Sequence, residues 1–162
     1  MGFEFVAYQG LDTGEREFCS HVVRNNGLTF VLTSPLNPNH EEFSAHHAKH
    51  GDGVRDIAFS VDDAAGIYQK AVSRGAISVR EPETLTDDQG SVIIAQVKTY
   101  GDTIHTFVQR SGYQGVFLPG YSDHPQREVL NGLIPIPELL YIDHVVGNQR
   151  DGEMEPVAQW YE

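Results

Sequence analysis

The sequence predicts an α+β fold, and two patterns in it indicate this class. Short apolar segments of strand type follow one another at hairpin spacing, and an amphipathic helix at residues 64–72 lies between two of them. After Gly53 the order is strand, helix and three strands, a βαβββ unit. Sequential strands with one helix packed on the sheet favour α+β over a doubly wound parallel sheet.

Size and charge limit the classes of protein to consider. The 162 residues suffice for one domain or two small modules with a buried core. The formal charge of −12 disfavours nucleic acid and anionic membranes as partners, because both would repel the chain. No apolar run is long enough to span a bilayer, and the first residues lack the features of a signal peptide. Cys19 is the only cysteine, so we expect a reducing compartment.

Three strands are predicted at the start of the chain. Residues 3–8 and 16–24 have the β-branched and aromatic content of strands, with turn residues between them. An Asn-Asn-Gly sequence at 25–27 predicts a tight hairpin into a third strand at 28–33. This meander needs further elements to cover its apolar face.

Residues 39–50 predict a short helix capped by Asn39. His46 and His50 lie at positions i and i+4 on one helix face, a spacing that can hold zinc. The glutamate that metallopeptidases place directly after the first such histidine is absent, because His47 stands there. The polar composition favours a metal-free helix at the surface, and the zinc alternative stays open.

The βαβββ unit begins after the turn that contains Gly53. Asp62 or Asp63 is expected to cap its helix, and Gly75 to end it in a left-handed conformation. An acidic hairpin loop is predicted at 81–90. The strands of the unit are predicted at residues 54–61, 76–79, 91–97 and 103–109. In the last of them, His105 has no ligand partner nearby in the sequence and is interpreted as structural.

Residues 140–148, LYIDHVVGN, predict a central strand near the C-terminal end. His144 would share its face with Ile142 and Val146, so it is either a hydrogen-bonded core histidine or a metal ligand. The proline-containing residues before this stretch have no sustained periodicity and predict a connector. A helix is expected to begin at Glu155.

Several longer stretches resemble one enzyme family, 4-hydroxyphenylpyruvate dioxygenase, and the resemblance runs over nearly the whole chain. It implies the vicinal-oxygen-chelate fold, as in glyoxalases and extradiol dioxygenases, in which βαβββ modules form half-barrels. The stretches are HGDGVRDIAF (50–59), QKAVSRGA (69–76), QVKTYGDTIHTFVQR (96–110), FLPGY (117–121) and IDHVVGNQ (142–149). The implied parts are a non-catalytic N-terminal module lacking its first strand and helix (1–110), a connector (111–139) and a truncated start of the catalytic module (140–162).

The resemblance also implies a cofactor and a reaction. Members hold non-haem iron(II) with two histidines and one carboxylate and convert 4-hydroxyphenylpyruvate and O2 to homogentisate and CO2 in tyrosine and phenylalanine catabolism. His144 matches the first iron-binding histidine, and the other two ligands would lie beyond Glu162. Asp56 and Thr106 stand where the catalytic module has those two ligands, which implies a metal-free first module. The chain is therefore expected to be an inactive fragment of a cytoplasmic, homo-oligomeric enzyme.

Two alternatives remain open at this point. The related 4-hydroxymandelate synthase uses the same substrate and iron but hydroxylates the side chain, and the residues that separate the two enzymes are expected outside this chain. The second alternative is a non-catalytic binding or interaction module. The poor metal site of the first module and the unpaired sheet edge left by a missing first strand favour it.

Overall fold

Two four-stranded sheets contain most of the regular structure in the computed structural model, which describes residues 2–162. The elements are, in chain order, β1 (Glu4–Gln9), β2 (Phe18–Asn25), β3 (Leu28–Pro35), α1 (Glu41–His50), β4 (Asp56–Ser60), α2 (Ala64–Ser73), β5 (Ile77–Asp87), β6 (Gly90–Lys98), β7 (Ile104–Gln109), β8 (Ser122–Asp123) and α3 (Met154–Tyr161). The first sheet has the strand order β3-β2-β1-β8 and the second the order β4-β7-β6-β5. The predicted α+β class is confirmed.

The first sheet is an antiparallel meander. β2 and β3 pair along their full length, from Phe18 opposite Pro35 to Asn25 opposite Leu28. Asn26 in the turn between them has φ of 49°, the left-handed conformation that tight hairpins require. The hairpin predicted from the Asn-Asn-Gly sequence is therefore confirmed. β8, a two-residue strand within the predicted connector, extends the sheet by pairing with β1.

The second sheet forms the predicted βαβββ unit. β4 lies parallel to β7, while β6 is antiparallel to both β7 and β5. Asp63 caps α2 by accepting a hydrogen bond from Gly66 N at 2.8 Å, and Gly75 follows the helix with φ of 103°. α2 covers one face of the sheet, where its buried residues join buried residues of β6 and β7. This core cluster consists of Ala64, Tyr68, Ala95, Val97 and Phe107.

The prediction of a short strand at 76–79 followed by a hairpin loop at 81–90 is wrong. β5 continues to Asp87 and pairs with β6 as far as Asp87 opposite Gly90, so only the last residues of the predicted loop form the turn. Pro82 is tolerated because β5 is an edge strand whose register shifts on both sides of Arg80. The acidic residues and the proline favour a loop locally, but the hydrogen bonds with β6 outweigh this local preference and keep the segment in the sheet.

Helix α1 forms as predicted, but its cap differs. His40, not Asn39, is the N-cap residue, and its Nδ1 accepts a hydrogen bond from Phe43 N at 3.3 Å. None of the residues of α1, all of which are described, is buried. The interpretation of α1 as a polar surface helix is therefore confirmed.

The prediction of a central strand at 140–148 is also wrong. The segment has no regular secondary structure and belongs to neither sheet, and apolar side chains such as Tyr141 and Val146 are 70% and 71% exposed. A strand needs a neighbour that supplies hydrogen-bond partners, and none of the strands within residues 2–162 pairs with this segment. α3 follows with Pro156 in its first turn, as expected. In the described part of the chain, no helix is both long and apolar enough to cross a bilayer.

Candidate functional site

The candidate iron ligand His144 lies in the exposed segment 140–148, which has no regular secondary structure. Its Nδ1 is 2.7 Å from Oδ2 of Asp143, and the His144 side chain is 72% exposed. When Nδ1–H donates a hydrogen bond to this carboxylate, the neutral ring keeps the lone pair on Nε2. Histidines that bind a metal through one ring nitrogen commonly donate a hydrogen bond from the other to a carboxylate, which fixes the tautomer and orients the ring. The local geometry therefore suits a ligand.

The residues around His144 do not form a complete iron site. An iron(II) facial triad needs two histidines and one carboxylate around one point. Among residues 2–162, no group of three histidine, cysteine or acidic side chains is placed to hold a metal ion. The donor set present in this chain therefore does not fit catalytic iron without further ligands, and one histidine is what the chain itself could contribute.

A second set of positions lies on the face of the second sheet that α2 leaves open. Thr106 on β7 donates a hydrogen bond from Oγ1 to Asp56 Oδ2 on β4 at 2.5 Å. Gln96 on β6 donates from Nε2 to the same Thr106 hydroxyl at 2.8 Å. The sheet brings the three together because β4 and β6 flank β7. Their polar groups satisfy one another and tie three strands together.

Gln96 is the member of this network that the sequence did not reveal. Asp56 and Thr106 were singled out by the resemblance, while a glutamine within a strand has no ligand signature of its own. The one indication in the sequence is the alternation of side chains along β6, which places Gln96 on the face opposite the buried Ala95 and Val97. The hydrogen bond itself depends on the register of β6 against β7, in which Gln96 pairs with Thr106.

The electrostatic environment of Asp56 is unusual for a surface carboxyl. Desolvation raises the pKa of Asp56 above its ordinary value, and it outweighs the hydrogen bond from Thr106 and the attraction of His105 and Arg55, which lower the pKa. The residue as a whole still has one side open to solvent. The carboxyl group of Asp56 is therefore partly desolvated, although water still reaches the residue.

Changing Asp56 to asparagine should flatten the pH dependence of stability. Because folding raises this pKa, the wild-type chain loses stability as pH rises from about 4 through the folded value. The loss should be at most about 1 kcal/mol, because solvent screens the partly exposed group. Urea unfolding between pH 4 and 7 measures it, with exposed Asp62→Asn as the control. Equal slopes for Asp56→Asn and wild type would contradict the assignment.

His105 is a core histidine. The residue is buried, with Nδ1 3.2 Å from the carbonyl oxygen of Ile57 and Nε2 3.1 Å from the hydroxyl of Tyr161 on α3. Its ring also meets Phe59 edge to face, with 5.0 Å between the centroids. Both ring nitrogens therefore have partners within the protein, which confirms the structural interpretation. The sequence did not reveal that the second partner comes from α3.

The second sheet defines the class of protein. Its βαβββ order, with β4 parallel to β7, is that of a vicinal-oxygen-chelate module, and solved structures that resemble the chain share this fold. The chain belongs to the hydroxyphenylpyruvate dioxygenase family: the family model described as "Hydroxyphenylpyruvate dioxygenase, HPPD, N-terminal" matches residues 1–118.

Curated relatives agree with this family. The chain is 51% identical over 163 residues to 4-hydroxyphenylpyruvate dioxygenase of Danio rerio and 48% identical over 166 residues to that of Tetrahymena thermophila. In both cases the match covers 100% of this chain and 41% of the relative. The chain thus spans about two fifths of the length of these relatives.

Two solved structures resemble the fold. A mutant of 4-hydroxymandelate synthase from Streptomyces coelicolor matches with a TM-score of 0.79 and 28% identity, over 99% of this chain and 44% of that one. A hypothetical protein from Bacillus halodurans C-125 matches with a TM-score of 0.52 and 15% identity, over 66% of this chain and 75% of that one. The second likeness concerns the fold alone.

Proposed function

We propose that this chain supplies the N-terminal module (1–110), the connector (111–139) and the first part of the catalytic module (140–162) of a 4-hydroxyphenylpyruvate dioxygenase. The whole enzyme converts 4-hydroxyphenylpyruvate and O2 to homogentisate and CO2 in the cytoplasm, in tyrosine and phenylalanine catabolism. The observation that carries this proposal is the 43–51% identity, along the whole chain, to enzymes of that name.

In this proposal the two parts of the chain have different roles. Residues 1–110 are a scaffold. The hydrogen bonds among Asp56, Thr106 and Gln96 support this role, because Asp56 and Thr106 stand at the positions that correspond to iron ligands of the catalytic module and are already bonded within the protein. His144 supplies one of three iron ligands, and Asp143 orients its ring. The bound iron would supply the redox chemistry. A chain with one ligand should not turn over by itself.

A chimera tests the proposal. Residues 1–162 replace the matching segment of the Danio rerio enzyme, to which the chain is 51% identical. We expect the chimera to bind about one iron(II) per chain, as the facial triad requires, and to form homogentisate, while the chain alone does neither. Turnover by the chain alone would contradict the proposal, as would a folded chimera without iron. Circular dichroism establishes folding, and the parental enzyme is the control.

The likeness to 4-hydroxymandelate synthase supports a second candidate function with the same substrate. The two functions differ in product, so the native protein, isolated from its source with an antibody against residues 1–162, should be incubated with 4-hydroxyphenylpyruvate. Homogentisate as the main product supports the dioxygenase. 4-Hydroxymandelate as the sole product would replace it with the synthase.

A third candidate, a non-catalytic interaction module, is favoured by the edge of the first sheet. β3 is an edge strand with no strand on its outer side among residues 2–162, and Phe30, Val31 and Leu32 on it are exposed. Such an edge favours pairing with another chain, which also supports the proposed homo-oligomer. A folded chimera that neither binds iron nor forms product would favour this candidate.

A further inference from the structure

The turn between β6 and β7 contacts the segment that carries His144. Tyr100 in this turn lies against Gly147, so closely that a β-carbon on Gly147 would overlap the tyrosine hydroxyl and lie 2.7 Å from ring atom Cζ. Gly147 does not have the positive φ that would by itself favour glycine. The close approach of Tyr100 is therefore what excludes a larger residue at this position.

An aromatic neighbour from α3 supports Tyr100. The rings of Tyr100 and Tyr161 meet edge to face, with 6.0 Å between their centroids. The hydroxyl of Tyr161 lies 3.1 Å from Nε2 of the buried His105, whose Nδ1 is 3.2 Å from the carbonyl oxygen of Ile57 on β4. The contacts thus run without interruption from the second sheet through Tyr161 and Tyr100 to Gly147.

The residues that directly follow His144 also face the first module. Val145 and Val146 line a cavity of about 240 Å³, and Ile57 and Thr103 line the same cavity. None of the strands among residues 2–162 pairs with segment 140–148, so the hydrogen bonds of a sheet do not fix its position. Side-chain contacts such as that of Tyr100 with Gly147 fix it instead.

We propose that Tyr100 is a positioning residue for His144, because its contact with Gly147 fixes the backbone that presents the imidazole. This inference rests on the proposed function, in which His144 is an iron ligand, and it gives the N-terminal module a defined part in building the metal site. Functional sites require their groups to be held within about 0.5 Å, so a ligand on an unsupported segment binds weakly. Asp143 orients the ring of His144, whereas Tyr100 fixes the chain that carries it.

Nuclear magnetic resonance of the full chain tests the contact without iron. We expect nuclear Overhauser contacts between the α protons of Gly147 and the ring of Tyr100. In Tyr100→Ala, residues 145–148 should lose order on the picosecond-to-nanosecond timescale. Tyr113→Ala, which removes a tyrosine whose hydroxyl bonds to Asp87, is the control and should leave their order unchanged. Absence of the Overhauser contacts in the folded wild-type chain would overturn the proposal.

The iron(II) affinity of the chimera with the Danio rerio enzyme tests the consequence for His144. Gly147→Ala pushes the segment away from Tyr100, and Tyr100→Ala removes its support, so each should weaken iron(II) binding at least about tenfold. In the double variant the added methyl group no longer meets the ring. Its loss should therefore equal that of Tyr100→Ala alone instead of the sum of the two losses. A lower melting temperature of the iron-free chimera without a loss of iron affinity would show a merely structural role and overturn the proposal.

Gly115→Ala is the matched control, because a β-carbon there would likewise overlap a tyrosine hydroxyl, that of Tyr113, but within the connector. It should leave the iron(II) affinity unchanged, and circular dichroism confirms folding of each variant. Equal losses in Gly115→Ala and Gly147→Ala would overturn the proposal, as would additive losses in the double variant. A folded parent chimera that binds no iron would instead overturn the proposed function, and with it the role of Tyr100, even where the Overhauser contacts are present.

Discussion

Replacing His144 with alanine in the chimera with the Danio rerio enzyme is expected to remove iron(II) and abolish homogentisate formation. Alanine has no donor atom, so two protein ligands would remain of the three that the facial triad requires. Changes to outer-shell partners alone typically cost 10- to 100-fold, so the loss here should exceed about 100-fold. Iron content by mass spectrometry and product formation at saturating substrate measure the two effects.

Two variants define how specific that loss is. His47→Ala removes another exposed histidine and should leave both iron content and turnover unchanged. Asp143→Asn keeps the ligand but weakens the hydrogen bond that orients its ring, so an intermediate loss is expected. If folded His144→Ala chimera retained one iron per chain, His144 would not be a ligand and the proposed ligand assignment would fail.

The βαβββ unit was predictable because its signals are local. The apolar positions of α2 repeat with helical period, and Asp63 and Gly75 mark its ends. The alternation of side chains along β7 puts His105 and Phe107 on one face and Thr106 on the other. Each of these features follows from residues a few positions apart, so the sequence is sufficient to find them.

The two wrong strand predictions have the same physical origin. Residues 81–87 have a poor local preference for a strand but become one because β6 lies beside them. Residues 140–148 have a strong local preference but remain outside both sheets, because none of the described strands pairs with them. Strand formation depends on a partner that is distant in the sequence, and local composition does not specify this partner.

The candidate sites show the same division between local and distant signals. The spacing of His46 and His50 is visible in the sequence, but Asp102 lies 52 residues from His50 and only the fold brings it there. The resemblance pointed to Asp56 and Thr106, yet their direct hydrogen bond depends on the parallel pairing of β4 with β7. A histidine pair within one helix is predictable from its spacing, whereas a contact with a group from another element is not.

Truncating Phe107 to alanine should cause a large loss of stability. Phe107 lies on β7, is only 9% exposed, and belongs to the core cluster between α2 and the second sheet. Its neighbours in that cluster include Ala64 and Ala95, whose short side chains leave little means of filling the space. Removal of a buried phenylalanine typically costs about 3–5 kcal/mol, through lost burial and the cavity that remains.

Equilibrium urea unfolding of the full chain measures this loss, and two variants calibrate it. Phe30→Ala removes a half-exposed phenylalanine of the first sheet and should cost much less, about 1 kcal/mol. Tyr68→Phe removes only the hydroxyl that donates to Ser78 Oγ at 2.6 Å, again about 1 kcal/mol. If Phe107→Ala cost no more than these variants, α2 would not be held by the core cluster, and the packing of the helix on the sheet would need revision.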